Sequence, residues 1–185
     1  HMSAAEIISQ FLAVDESDCL TNAVFMGMGE PLDNYENVMR AIEILTADWG
    51  FAWSPKRITV STIGVLANLK RYLDECRCHL AVSLHDPFAQ ERLEIMPVQG
   101  AWPIQDVIDL IKQYDFTGQR RVSFEYTMFA GFNDTKAHAD VDEGLECNGR
   151  ADAHAKEHVV GTARLKADAE AVDNDDHKQQ HYHKA

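Results

Sequence analysis

Apolar residues in the first 139 positions recur in two alternating patterns, one typical of helices and one typical of strands. In four segments they return every three or four positions, as on the buried face of a helix. Between these lie short runs rich in β-branched residues, which are typical of buried strands. The predicted helices are centred on Ile7–Leu12, Val38–Leu45, Leu66–Leu73 and Ile104–Ile111, and the predicted strands are Ala23–Met26, Ile58–Ser61, Leu80–Leu84 and Val122–Met128.

Three of the predicted helices have a start signal. Ser3 followed by Glu6 is a capping box, in which each residue satisfies a backbone N–H group of the other. Asp33 or Asn34 can cap the second helix, and Pro103 suits the first turn of the fourth.

Helices and strands alternate along the chain, which predicts right-handed crossovers and a parallel sheet. Four strands are too few to close an eight-stranded barrel. The pattern therefore predicts an α/β fold with an open parallel sheet or part of a barrel.

Composition divides the chain near residue 139. All eight Phe, three Trp and six Met precede residue 133, and residues 140–185 are rich in Ala, Asp and His. So few large side chains cannot build a core alone. We expect an organised domain over 1–139 and a polar tail over 140–185, in which 151–172 can form a weak helix.

The net charge of −13 argues against unaided binding to a phosphate backbone, because such binding needs clustered Lys and Arg. No apolar run reaches the length of a membrane span, which predicts that the chain does not enter a membrane. Four irregularly spaced cysteines indicate a reducing, cytoplasmic location rather than a disulfide framework.

Polar residues follow each predicted strand, and carboxyl ends of parallel strands are where such folds bind ligands. Glycines at 27 and 29 would let a ligand approach the backbone closely. Ser and Thr at strand ends can also simply satisfy loop backbone groups, so the pattern leaves both interpretations open. The candidates are Gly29, Glu30, Ser61, Thr62, Ser83, His85, Glu125 and Thr127.

Five blocks resemble radical S-adenosylmethionine enzymes, and more narrowly the ribosomal RNA (adenine-C2) methyltransferase family. The first, Met26–Pro31, is similar to the family's "GEP" segment. The others follow in family order, and the resemblance covers residues 3–139. They are Lys56–Thr62, Leu80–His85, Arg92–Pro97 and Phe124–Tyr126 with Gly131–Asp134.

This resemblance implies part of a (β/α)6 partial barrel with an S-adenosylmethionine site. Gly29 and Glu30 would hold the methionine amino end of the cofactor, while Ser61, Ser83 and His85 would line the rest. A carboxylate pairs well with an ammonium group, and hydroxyls and an imidazole can bond a carboxylate or a ribose.

Family members also carry a C-x3-C-x2-C run whose thiolates bind a [4Fe–4S] cluster. No such spacing occurs in these 185 residues, where Cys76-x-Cys78 is the only close pair and Cys19 and Cys147 stand alone. The methyl-carrying cysteine and the basic RNA-binding region of the family have no counterpart either. We therefore expect the chain to be a central fragment that is inactive alone and contains no catalytic residue.

The resemblance implies a parent enzyme that methylates C2 of an adenosine in ribosomal RNA, and in transfer RNA too. A sister family that methylates C8 shares these blocks. The alternative is a non-catalytic, excised or rearranged α/β scaffold that keeps part of the cofactor pocket. An unrelated α/β enzyme is a third interpretation.

Histidines in the tail are spaced four apart at His154 and His158, and again at His177 and His181. A helix would place each pair on one face, as in some zinc sites. No third ligand is fixed by the sequence, so we expect solvated histidines and no metal site there.

Overall fold

Four parallel strands form the sheet, in the order β1-β2-β3-β4. A computed structural model describes residues 1–116 and 120–143, with the backbone alone for 141–143. Within those ranges the strands are β1 (Ala23–Phe25), β2 (Ile58–Thr62), β3 (His79–Ser83) and β4 (Val122–Glu125). The predicted α/β class with a parallel sheet is confirmed.

Six α-helices flank or connect these strands in the described residues. Four correspond to the predicted helices, while α4 and α6 were not indicated by apolar periodicity. Short 3-10 turns occur at 17–19, 31–34, 55–57 and 97–100. The helices are α1 (Ala4–Leu12), α2 (Tyr35–Thr46), α3 (Leu66–Glu75), α4 (Ala89–Ile95), α5 (Ile104–Ile111) and α6 (Lys136–Glu143).

Not every predicted helix cap forms its expected hydrogen bond. The capping box at Ser3 and Glu6 is formed in both directions. Asn34 occupies the position before α2 but makes no cap bond, because its Oδ1 accepts from the Asn37 side-chain amide at 2.8 Å instead of from a backbone N–H group. Pro103 stands just before α5, which begins at Ile104.

The core lies on the two central strands and the helix faces that cover them. Ile58, Val60, Leu80 and Val82 are fully buried, and because each pair is two positions apart, they lie on the face of their strand that the core covers. Each such side chain contributes about 1.5–3 kcal/mol of burial free energy. The helices supply Leu45, Leu69, Tyr72, Val107 and Ile111, all without exposed surface.

Strand β4 is shorter than the predicted Val122–Met128. After Glu125 the backbone bonds to loops instead of to β3: the Thr127 N–H donates to His85 Nδ1 and the Thr127 carbonyl accepts from Asn133. This departure from the strand places the end of β4 against the loop that follows β3.

Helix α6 crosses the predicted division at residue 139, and residues 144–185 lie outside the described residues. The division into domain and tail, the weak helix over 151–172 and the tail histidines therefore stay predictions. No helix in the described part is both long and apolar enough to span a bilayer.

Candidate functional site

Ser61, Ser83 and Glu125 meet at the carboxyl edge of the sheet. Ser83 pairs in register with Glu125 across β3 and β4, and Ser61 comes from the neighbouring β2. The Ser61 hydroxyl donates to Glu125 Oε2 at 2.6 Å, and the Ser83 hydroxyl reaches the same oxygen at 3.3 Å. Three adjacent strands thus present two hydroxyls and one carboxylate at a single point.

The loop after β1 brings open backbone to the same edge. Gly27 and Gly29 have φ angles of +119° and +114°, which L-residues rarely adopt. A Cβ atom built at either position would meet nothing within 4 Å. The space beside this backbone is therefore free, and peptide N–H and C=O groups there can approach a ligand directly.

Glu30 ties this loop to the one that follows β2. Its Oε1 accepts from the Leu32 N–H at 2.9 Å and from the Thr62 hydroxyl at 2.7 Å, while Oε2 accepts from the Ile63 N–H at 2.8 Å. A carboxylate offers about four acceptor positions. Three of them are used within the protein, so Glu30 sets the geometry of two loops and keeps about one position for a ligand.

His85 lies in the loop after β3 with a φ of +58°, a conformation uncommon outside glycine. Its Nδ1 accepts from the Thr127 N–H at 3.1 Å, which assigns the ring proton to Nε2. Burial lowers the pKa of His85, and Glu125 opposes that shift. The neutral ring therefore has an Nε2–H group that can donate to a ligand.

Two buried polar side chains hold this loop in place. The Arg92 guanidinium donates to the Ser83 and Leu84 carbonyls, each at 2.9 Å, and to Gln99 Oε1 at 2.6 Å. The Asn133 amide donates to the His85 carbonyl at 2.5 Å. These bonds satisfy loop carbonyls that would otherwise be buried without donors.

The stability of the fold should fall in mild acid partly because of His85. Its lowered pKa means that the unfolded chain binds more protons below about pH 6.5, so the free energy of unfolding falls as the pH drops from there. We expect His85→Asn, which tolerates positive φ, to lose less stability between pH 7.5 and 5.0 in urea unfolding. His79, whose pKa burial also lowers, contributes equally in both proteins. An equal loss in both proteins would contradict this assignment.

The described cysteines do not fit an iron–sulfur cluster at this edge. Cys76 and Cys78 directly precede β3, at the opposite edge of the sheet, and both are buried. Cys19 is exposed and distant in sequence from both. Cluster ligation needs several converging thiolates, and the described cysteines do not supply them at this edge.

A parallel α/β sheet with hydroxyls, a carboxylate, an imidazole and glycine backbone at its carboxyl edge is an arrangement typical of barrel-type domains that bind ligands. The model of the radical SAM superfamily matches residues 1–143. The chain belongs to this superfamily.

The most similar relatives include proteins named "Probable dual-specificity RNA methyltransferase RlmN". That of Parabacteroides distasonis is 59% identical over 147 residues, covering 80% of this chain and 42% of the relative. That of Porphyromonas gingivalis W83 is 61% identical over 151 residues, with 80% and 44% covered. This chain spans less than half the length of these relatives.

A solved structure shows the same fold. The radical SAM methyltransferase from Sphaerobacter thermophilus superposes with a TM-score of 0.71 at 38% identity, covering 78% of this chain and 44% of that one. The predicted resemblance to the radical S-adenosylmethionine methyltransferases is therefore confirmed.

The predicted site residues lie at or beside the carboxyl edge of the sheet, and the residues that hold them there were not predicted. The structure brings the predicted Ser61 and Ser83 together, and it places Glu30 and His85 in the neighbouring loops. Glu125 is among the predicted candidates, but its position as the shared acceptor of both serines is not predicted. Its place at the end of an alternating strand was the available signal. For Arg92 and Asn133, the sequence indicates no positioning role; both residues only belong to the blocks that resemble the methyltransferase family.

Proposed function

We propose that residues 1–143 form part of the S-adenosylmethionine site of an RNA methyltransferase that methylates C2 of an adenosine in ribosomal RNA and in transfer RNA. The observation that carries this proposal is the convergence of Ser61, Ser83 and Glu125 beside the open backbone of Gly27 and Gly29. The relatives named as dual-specificity RNA methyltransferases supply the reaction class.

Each group at the edge suits one part of S-adenosylmethionine. Glu125 and the backbone of Gly29 would hold the methionine ammonium group, with Glu30 fixing that loop and offering its remaining acceptor position. The Nε2–H of His85 would donate to the carboxylate, and the hydroxyl oxygens of Ser61 and Ser83, whose protons are directed at Glu125, would accept from the ribose diol. When bound, the cofactor supplies the methyl group that is transferred.

The chain alone should bind this cofactor weakly. A few neutral hydrogen bonds of about 0.5–1.5 kcal/mol each, and one exposed ion pair of about 0–1 kcal/mol, stand against an association cost of several kcal/mol. We expect a Kd of about 1 mM, measured by amide chemical shifts that change along Gly27–Glu30, at Ser61 and at Ser83.

Two variants make this titration specific. Ser83→Ala should weaken binding several-fold, whereas Ser9→Ala on the exposed face of α1 should leave it unchanged. Micromolar affinity that survives Glu30→Ala would contradict the assigned site, as would shifts confined to other elements.

The methylation reaction is best tested in a complete enzyme. Residues 3–143 would replace the matching segment of the Parabacteroides distasonis relative, in a strain without its own enzyme for this modification. We expect 2-methyladenosine in ribosomal and transfer RNA by mass spectrometry, and a marked loss with Ser83→Ala. A folded chimera that yields 8-methyladenosine would overturn the C2 assignment.

The 185-residue chain by itself is expected to release no 5′-deoxyadenosine after anaerobic treatment with iron, sulfide and dithionite. The physical reason is that no three of its cysteines have the family's ligand spacing. Release above background would show that this interpretation of the cysteines is wrong.

With a net charge of −13 the chain should also not bind RNA tightly without further basic segments.

A further inference from the structure

A second polar cluster lies where the loop after β3, helix α4 and helix α6 meet. Asp86, Glu91 and His138 each direct one ligand-type atom to a common point, and these atoms all lie within 4.8 Å of one another. His138 Nε2 is 3.0 Å from Glu91 Oε2 and 3.6 Å from Asp86 Oδ2. Asp86 is fully buried and His138 is 5% exposed.

Hydrogen bonding within the described residues leaves this cluster incomplete. Asp86 Oδ1 accepts from the Phe88 N–H at 2.7 Å, which turns Oδ2 towards His138. Asp86 Oδ2 has no hydrogen-bond partner there, although it is buried. The single proton that Nε2 can carry would go to Glu91, the nearer oxygen, and would leave Asp86 Oδ2 unsatisfied. Leaving such an acceptor buried is unfavourable.

The nearby cation Arg92 does not satisfy Asp86 Oδ2. Its guanidinium group donates to the Ser83 and Leu84 carbonyls and to Gln99, and none of these bonds goes to Asp86. Two carboxylates around one imidazole keep the donor set net negative even with Arg92 close by.

The other ring nitrogen of His138 is arranged as in metal sites. Nδ1 lies 2.6 Å from the Thr135 hydroxyl, which can hold the ring in the tautomer whose Nε2 lone pair faces the carboxylates. Histidine ligands generally have such a partner on the second nitrogen. The Phe88 ring packs edge-on against His138 at 4.9 Å and limits its rotation.

We propose that Asp86, Glu91 and His138 bind one first-row divalent cation, of which Zn²⁺ is the best fit. An imidazole nitrogen and carboxylate oxygens are all ligand types that zinc accepts, with metal–ligand distances near 2.0–2.2 Å. Those distances place tetrahedral ligands about 3.3 Å apart. The two separations measured from His138, 3.0 and 3.6 Å, bracket that value. A bound ion would join α6 to the loop that carries His85.

The test uses the full chain after removal of metals with a chelator, and Co²⁺ and Zn²⁺ as probes. Paramagnetic Co²⁺ should broaden the amide signals of 86–91 and 135–140, and Zn²⁺ should compete it away. Mg²⁺, which prefers an all-oxygen octahedral shell, should not. Saturation with Zn²⁺ at one hundred times its Kd should raise the melting temperature by about 5–10 °C.

Matched variants separate this site from the histidines of the tail. Asp86→Asn keeps the Oδ1 acceptor for Phe88 and so should preserve the fold, and Glu91→Gln changes a partly exposed side chain. Both variants should weaken Co²⁺ binding to the site formed by Asp86, Glu91 and His138 at least tenfold. Thr135→Val should weaken the same binding about tenfold. Replacing all five tail histidines by Asn should leave the site's broadening and the melting shift in place; they are His154, His158, His177, His181 and His183.

Three outcomes would overturn the proposal. One is Co²⁺ broadening confined to the tail. Another is a melting shift that disappears with the five tail substitutions and persists in Asp86→Asn and Glu91→Gln. The third is affinity unchanged in both ligand variants, which would show that His138 only bonds Glu91 as an internal contact.

Discussion

Arg92→Ala is expected to lower the free energy of unfolding by about 3–5 kcal/mol. The guanidinium is fully buried and is the donor to three acceptors, the carbonyls of Ser83 and Leu84 and the side chain of Gln99. Each acceptor left without a partner in the interior costs about 1–3 kcal/mol, and the missing side chain leaves a cavity. A domain of ordinary stability has only about 5–15 kcal/mol in total.

Urea unfolding followed by circular dichroism measures this effect, with two further variants for comparison. Arg92→Lys keeps a positive charge but cannot span three acceptors with a planar fork, so an intermediate loss is expected. Arg40→Ala removes an exposed arginine paired with Glu43 and should cost less than about 1 kcal/mol. If Arg92→Ala unfolds within 1 kcal/mol of the unchanged protein, the bonds seen around Arg92 do not stabilise the loop after β3.

Glu30→Ala should cost about 2–3 kcal/mol and should abolish detectable S-adenosylmethionine binding. The loss of stability comes from three donors, Thr62, Leu32 and Ile63, whose common acceptor disappears. Because these donors belong to the loops after β1 and β2, the glycine backbone beside them should lose its fixed position. Binding would then fall even where the ligand does not contact the carboxylate.

Glu36→Ala is the matched control for this substitution. Its carboxylate is 79% exposed and pairs with Arg71 on the surface, so its removal should change stability by less than about 1 kcal/mol and leave binding intact. Glu30→Gln keeps one acceptor and should fall between the two. Unchanged stability in Glu30→Ala, with binding lost, would mean that Glu30 acts only as a ligand contact.

Local pattern was sufficient to predict the alternation of helices and strands. The strands β2 and β3 are short segments with buried β-branched or apolar residues at their centres, and the capping box at Ser3 is a short-range signal. Helix α4 gave no such pattern, because the residue it buries is the charged Arg92 while Leu93 is 42% exposed. The spacing of apolar residues cannot predict a helix whose buried side chain is an arginine.

The candidate site was predictable as far as it follows from strand ends. Ser61 and Ser83 could be expected to meet because parallel strands end at the same edge. The bonds of Glu30 to Thr62 and Ile63 join residues more than thirty positions apart, and no local rule predicts such pairs. The same holds for His138, which reaches Asp86 and Glu91 only through the packing of α6.

The strand order has a consequence for how the chain folds during synthesis. Every strand pairs with the strands that precede and follow it in sequence, so β1, β2 and β3 can associate before β4 has left the ribosome. Loop-closure entropy favours the pair joined by the shortest connection, which is β2 with β3 through α3. The sheet therefore can grow in the direction of translation, with Ser61 placed beside Ser83 early and Glu125 added last.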